Sequence, residues 1–419
     1  MTNPTASGSF THLLAGVKRE ELKITGVRYT PISCKPPDGG YTHECGPVVL
    51  TKCDEAIVEV FTDQGLVGIG PGHPYDDRDY AHLIGRNPFD VELMGQRGGF
   101  DVACWDLIGQ AVGMPVHRLL ATDADSDPEV RVYASGGVLW TYYDKGDGSP
   151  CGAEALIEEA LQYKEMGFDT FKWRPGTDWE EDGITPTELG EICRRLREAV
   201  GPDFDLGLEK KGYDSWTLEE CFEIAPIISD LGFLFFEQPM GDIGPTQFED
   251  YLELKERMPG VMLWGGESFL SLEQARPWME QGIYDAVQTD CYKLGLTENW
   301  RLAKVAEFYG IKLVPHGWST SLTLMANAHL VAAVQSGYMC EFFMYPSEFR
   351  YGLFVEPYRP VDGCITLSEE PGFGMELIDV PAARFPHIPG PNTFANPRFP
   401  HAWERARERE RINDQRYVR

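Results

Sequence analysis

After a polar opening of about twenty residues, the chain settles into strict alternation. In KITGVRYTPI (23–32) and EAIVEVFTDQGLVGIG (55–70), apolar and polar positions exchange at nearly every residue. That is the period of strands with one face on a core and the other toward water, as in a half-exposed antiparallel sheet. Between them, SCKPPDGGYTHECGP (33–47) is too rich in Gly and Pro for either regular element and predicts a loop. A loop of that length in a compact protein is often functional. From about Tyr80 the period lengthens toward that of a helix. Ala103, Leu107, Ile108 and Ala111 recur at helical spacing in FDVACWDLIGQAVGMPVHRLLA, and Gly113-Met114-Pro115 supplies the stop.

From about Val130 the pattern becomes strand, loop, helix, repeated. The strand candidates are VRVYASGGV, DTFKW, FDLGLE, FLFFEQP, VMLWGGE, DAVQTD, IKLVPH and CEFFMY. Helical stretches such as AEALIEEALQYKEMG, TELGEICRRLREAVG, LEECFEIAPIISDLG and ENWRLAKVAEFYG lie between them. Eight short apolar strands alternating with helices predict a closed parallel barrel rather than an open doubly wound sheet. No GxGxxG follows the first strand, which argues against a dinucleotide-binding fold. After Tyr345 the periodicity decays into Gly- and Pro-rich chain. The last segment, WERARERERINDQRYVR, alternates charge signs like a solvated helix.

In a parallel barrel the C-terminal ends of all strands meet at one mouth. Read in order, those positions are Lys172 with Arg174, then Glu209, Glu237, Glu267, Asp290, His316 and Glu341. Seven of eight strands thus end on an ionisable residue, where a charged content of 25% would supply about two by chance. A carboxylate straight after a buried strand is costly unless its charge is compensated. Glu209, Glu237 and Glu267 follow three consecutive strands, so their oxygens can converge on one hard cation, Mg²⁺ before Mn²⁺ or Ca²⁺. The competing reading pairs each Glu with a lysine or caps the next helix. Asp290 and His316 end the next two strands and can touch, the Asp fixing the tautomer and raising the basicity of the far ring nitrogen. Lys172 and Arg174 lie two apart and share a face. Arg174 is a poor base and a good anion clamp, whereas Lys172 can transfer protons. Simple pairing with the glutamates is the alternative for both.

Composition narrows the field. At 419 residues the chain suits a barrel-sized domain with a smaller companion, and 42% hydrophobic content is ordinary for a soluble globular protein. A formal net charge of −29 opposes nucleic-acid binding. No apolar run approaches the ~20 residues of a membrane helix. MTNPTASGSF has neither the basic nor the apolar region of a signal peptide, and the ten cysteines are scattered without metal-like spacing. They read as buried thiols, Cys104 and Cys340 among them, in a reducing cytoplasm.

Taken in order, these motifs resemble the enolase superfamily, mandelate racemase-like subgroup, over most of the chain. DVACWDLIGQAVGMPVHRLL is similar to the segment joining that family's capping domain to its barrel, and FKWRPG stands where the family has KxK. FFEQP, GGES, DAVQTDCYKLG, VPHGW and CEF match successive strand-end motifs, and VDGCITL with PGFGMEL resembles the C-terminal return to the capping domain. The resemblance implies an α/β fold, a modified TIM barrel (β/α)7β with an α+β N-terminal capping domain. The expected division is a flexible 1–22, a capping domain 23–128 completed by about 350–385, a barrel 129–349 and a tail 386–419. It also implies Mg²⁺ on Glu209, Glu237 and Glu267, His316 with Asp290 as a base, and Glu341 bonding the substrate carboxylate. Tyr41 and His43 on the Gly/Pro-rich loop are candidates for substrate contact. Assembly as dimers or octamers is common in the family.

Two departures matter. The first metal ligand is usually Asp followed two residues later by Asn, but here Glu209-Lys210-Lys211 stands in that place. Lys211 could act as an extra acid or base. The second is Arg174 where a Lys base is expected, which lowers two-base racemisation. The resulting expectation is a Mg²⁺-dependent lyase that removes a proton α to a carboxylate and dehydrates an acid sugar or small hydroxy acid to a 2-keto acid. The alternatives are an epimerase or cycloisomerase on the same scaffold, and a non-catalytic binding homologue.

Overall fold

The computed structural model describes residues 13–35, 41–42, 48–73, 79–95, 98–121, 126–137, 152–175, 185–209, 218–240, 248–318, 321–344 and 347–395. His43, Lys211 and the charged C-terminal segment lie outside them, and for Tyr41 only the backbone is described. The strands in chain order are β1 (Ile24–Cys34), β2 (Tyr41–Thr42), β3 (Val48–Leu50), β4 (Cys53–Thr62) and β5 (Val67–Gly72). There follow β6 (Glu129–Ser135), β7 (Thr170–Trp173), β8 (Asp205–Glu209), β9 (Phe235–Glu237) and β10 (Met262–Gly265). The last five are β11 (Ala286–Val287), β12 (Lys312–Leu313), β13 (Cys340–Phe343), β14 (Cys364–Thr366) and β15 (Thr393–Ala395).

The alternating N-terminal segments form the antiparallel sheet β1-β4-β5. The helix Gly99–Val112 lies on it and ends on Gly113, whose φ of 70° is the left-handed conformation glycine adopts readily. Contact between helix and sheet needs small residues. A Cβ at Gly70 would stand 2.1 Å from the Gly99 carbonyl oxygen, so only glycine permits this approach. Between Tyr80 and this helix the chain forms two short 3₁₀ turns, Ala81–Leu83 and Pro88–Asp90, the second leading into a single α-helical turn, Val91–Met94, rather than one continuous helix. Asn87 caps the second turn through Phe89 N, and Pro88 sits at its start.

The eight barrel strands expected from the sequence are β6 to β13. They pair in parallel in the order β12-β11-β10-β9-β8-β7-β6-β13, with the first and eighth side by side. The ring is closed by a parallel bridge from Leu313 to Gly337, on the segment that leads into β13. Between strands lie amphipathic helices with clear start signals. Pro186–Val200, for example, begins with a capping box in which Thr185 and Glu188 satisfy each other's backbone N–H groups.

Inside the barrel, strand periodicity stacks side chains in layers. Tyr133, Phe235, Trp264 and Met339 fill the lower layer, with Phe235 and Trp264 stacked at 3.6 Å. Gly207 leaves room for the Phe235 ring, since a Cβ there would meet it at 2.1 Å. Two residues further along their strands stand Ser135, Glu237, Glu341 and Glu209. An apolar plug therefore underlies a charged layer.

The C-terminal chain serves both units. β14 adds antiparallel to β6, Phe373 N donates to Asp106 on the helix Gly99–Val112, and β15, in the stretch expected as a tail, pairs with β3. Within the stretch expected to be flexible, Leu13, Leu14 and Leu22 are buried.

Candidate metal centre and active site

Glu209, Glu237 and Glu267 are buried, and one oxygen from each lies within 4.8 Å of the others. Oε1 of Glu209 is shielded from solvent and accepts no hydrogen bond, whereas Oε2 faces Lys172 Nζ and Arg174 Nη2 at 2.7 and 2.8 Å. A buried carboxylate oxygen with no donor is costly unless a cation completes it. The donors are all oxygen, which suits a hard ion, and bonds of ~2.1 Å to Mg²⁺ need only small side-chain adjustment from this spread. The donor set therefore fits a magnesium ion.

Lys172 is fully buried, and its ammonium touches three carboxylates. Nζ lies 2.7 Å from Glu209, 2.9 Å from Glu237 and 2.9 Å from Glu341. Burial alone would pull its pKa down, yet Glu209, Glu237 and Glu341 outweigh burial and hold it above the ordinary lysine range. In this arrangement the three carboxylates favour the protonated form of Lys172. Glu237 moves the other way. Burial first, and Glu209 second, push it up to about 8 despite Lys172. Burial also penalises Glu341, but Lys172, His316, Arg174 and the Gly317 N–H together hold it well below the usual carboxylate range. Among the described residues the layer carries five carboxylates, Asp290 included, against Lys172, Arg174 and, 3.9 Å from Asp290, Lys293. The excess of negative charge is what a divalent ion would offset.

Arg174 is held from every side. Nη1 donates to Ser135 Oγ and to the Gly136 carbonyl, both at 3.2 Å, and Nη2 reaches Glu341 Oε1 at 3.4 Å. The guanidinium lies 4.3 Å above the Trp318 ring. Glu341 also accepts from Ser135 Oγ and, at 2.7 Å, from Gly317 N.

Opposite this cluster, His316 Nδ1 stands 2.9 Å from Asp290 Oδ2, and Nε2 lies 3.4 Å from Glu267. Asp290 is itself fixed because its other oxygen caps the helix Cys291–Tyr309 by accepting from Lys293 N at 2.7 Å. Asn327 ties the two segments together, accepting from Cys291 N and donating to the His316 carbonyl. The dyad therefore has one nitrogen committed to Asp290 and the other turned toward the carboxylate trio. A cavity of about 260 Å³ opens beside it, walled by His316, Trp318 and Lys293 from the barrel and by Lys52, Glu55 and His73 from the N-terminal sheet.

Several of these groups escape a reading of ionisable strand ends. Ser135 ends the first barrel strand, the one position there without a charge. Its signal is the register, two residues beyond the inward-facing Tyr133. Asn327 and Lys293 sit on helices, and nothing local marks them.

The family described as Enolase C-terminal domain-like matches residues 155–380. An arabinonate dehydratase from Saccharolobus solfataricus is 28% identical over 77% of this chain and 87% of its own. A D-galactarolactone cycloisomerase from Agrobacterium fabrum is 26% identical over 77% of this chain and 88% of its own. Among solved structures, a putative mandelate racemase from Bordetella bronchiseptica RB50 superposes with a TM-score of 0.75 at 23% identity, covering 90% of this chain and 98% of that one. At that identity the likeness speaks to the fold alone.

Proposed function

Because the chain belongs to the Enolase C-terminal domain-like family, we propose that it removes a proton α to a carboxylate and dehydrates a small hydroxy acid of the acid-sugar class. The supporting observation is that, among the described residues, the His316–Asp290 pair is the one base oriented toward the carboxylate trio. His316 is oriented by Asp290, while across from it Arg174 keeps its charge and the carboxylates around Lys172 favour its ammonium form. The named relatives include a dehydratase of an acid sugar, which agrees with this reading.

Removing a proton α to a carboxylate is difficult because the resulting enediolate carries two negative charges. Glu209, Glu237 and Glu267 would hold Mg²⁺, which when bound supplies electrostatic stabilisation of that charge, a strategy described generally for enolase-type sites. The chain's own groups supply the rest. Lys172 and Arg174, both donors, orient the substrate carboxylate and offset charge as it develops. His316 Nε2 accepts the α-proton while Nδ1 donates to Asp290, whose carboxylate stabilises the imidazolium. The protonated His316 then gives a proton to the β-hydroxyl. The C–O bond breaks, water leaves, and the enol that remains tautomerises to the 2-keto acid.

Cycloisomerisation, the activity named for the Agrobacterium fabrum relative, needs the same first step. Epimerisation needs a second base on the far face, a role for which Arg174 is unsuited and Lys211, outside the described residues, is the remaining candidate. Incubation with a panel of acid sugars and Mg²⁺ separates the outcomes. A 2-keto acid lighter than its substrate by one water is expected, with solvent deuterium exchanged on one face only. A product of unchanged mass, or exchange on both faces, would overturn the dehydratase reading.

A further inference from the structure

Cys34 closes β1 and Cys53 opens β4, and in the antiparallel register these two residues are direct partners. Directly opposed residues put their side chains on the same face with Cα atoms about 4.5–5.5 Å apart, within the range that a disulfide spans. Both are free thiols. The Cys53 side chain is hydrogen-bonded to Ser347, just beyond the last barrel strand. Cys53 also lines the cavity beside His316, so a small molecule in that cavity reaches it.

We propose that Cys34 and Cys53 are a site of reversible oxidation, forming a disulfide that staples the base of the loop between β1 and β4. The oxidant is a low-molecular-weight disulfide such as oxidised glutathione. One protein thiolate attacks it, giving a mixed disulfide and one released thiol. The second protein sulfur displaces the other half, giving the protein disulfide and a second released thiol. Two protein thiols are oxidised, one small disulfide is reduced, and the two protons pass to the leaving thiolates. Burial pushes the Cys53 thiol up to about 12, which makes its step slow but leaves the geometry unchanged.

The location gives the bond a consequence. Lys52 and Asp54, a buried ion pair beside the cavity, flank Cys53, and Ser33 Oγ donates to Asp54 from the neighbouring register position. Turning the Cys53 sulfur toward Cys34 removes its bond to Ser347, a contact between the N-terminal sheet and the barrel. Oxidation therefore tightens the loop that carries Tyr41 while loosening that sheet from the barrel mouth. This proposal does not depend on the reaction assigned above.

The test uses the full chain with Cys45→Ala, which removes the third cysteine of this region from competition. The protein is incubated with oxidised glutathione until its free-thiol count is constant, then alkylated and mapped without reduction. The expected result is a protein lighter by two hydrogens, with one linkage joining the Cys34 and Cys53 peptides and reversed by dithiothreitol. With Cys34→Ser added, Cys53 should remain alkylatable or carry glutathione alone. Cys34 and Cys53 that both stay alkylatable, or that each retain glutathione without linking, would overturn the proposal.

Discussion

His316 and Lys172 face the same layer but do different work. His316→Asn keeps a polar side chain beside Asp290 and removes the base, so α-proton exchange in deuterated water should fall by at least about a hundredfold. Magnesium binding should survive, because His316 is outside the trio. Exchange at the parental rate would refute its assignment. Lys172→Ala leaves Glu209, Glu237 and Glu341 buried without their shared ammonium. Removing one partner of a buried ion pair costs about 3–5 kcal/mol, so denaturant unfolding should show a loss of that order, partly recovered by saturating Mg²⁺. A change below about 1 kcal/mol would show that the carboxylates do not depend on that charge. Gln238, next to Glu237, has a φ of 44° in a buried setting, a conformation that costs about 1–3 kcal/mol and is typical of residues beside a site.

At the scale of elements, the joint between the helix Gly99–Val112 and the barrel helix Cys291–Tyr309 is a buried polar clamp. Asp101 accepts from Thr297 N at 3.0 Å and from Thr297 Oγ1 at 2.5 Å, and Trp105 Nε1 donates to the same hydroxyl at 3.0 Å. Burial pushes Asp101 up to about 7. The folded state therefore keeps a proton that the unfolded chain has lost between about pH 4 and 7, and stability falls as pH rises through that window. The slope from this one group is up to about 1.4 kcal/mol per pH unit, and Asp101→Asn should flatten it in unfolding measurements at pH 5, 6 and 7. An unchanged slope would mean that Asp101 does not titrate there. The elements also show what the sequence discloses. All eight barrel strands were legible because each is a short apolar run, and seven of them are followed by a charge. β15 was not, since Thr393–Ala395 gains its strand conformation only by pairing with β3. The helix expected from Tyr80 breaks into turns because Pro88 and Gly85 interrupt it.

At the scale of the whole molecule, the placement of the strand-end residues could be read from chain order alone, because a parallel barrel carries consecutive strand ends to adjacent positions. What order could not supply was the charge balance: which carboxylates surround Lys172, which carboxylate oxygen lacks a donor, and that Ser135 links Arg174 to Glu341. Those depend on distances of a few ångströms between strands far apart in sequence. The net charge of −29 is spread over the chain, yet the barrel mouth concentrates its own excess of carboxylates. The most direct measurement is calorimetric titration of the metal-free protein with Mg²⁺, alongside Glu209→Gln, Glu237→Gln and Glu267→Gln. One ion per chain is expected, with each substitution weakening binding by at least about tenfold, since even changes to groups that only orient a ligand cost that much. No heat of binding at millimolar Mg²⁺, or binding indifferent to all three substitutions, would contradict the metal centre and the chemistry built on it.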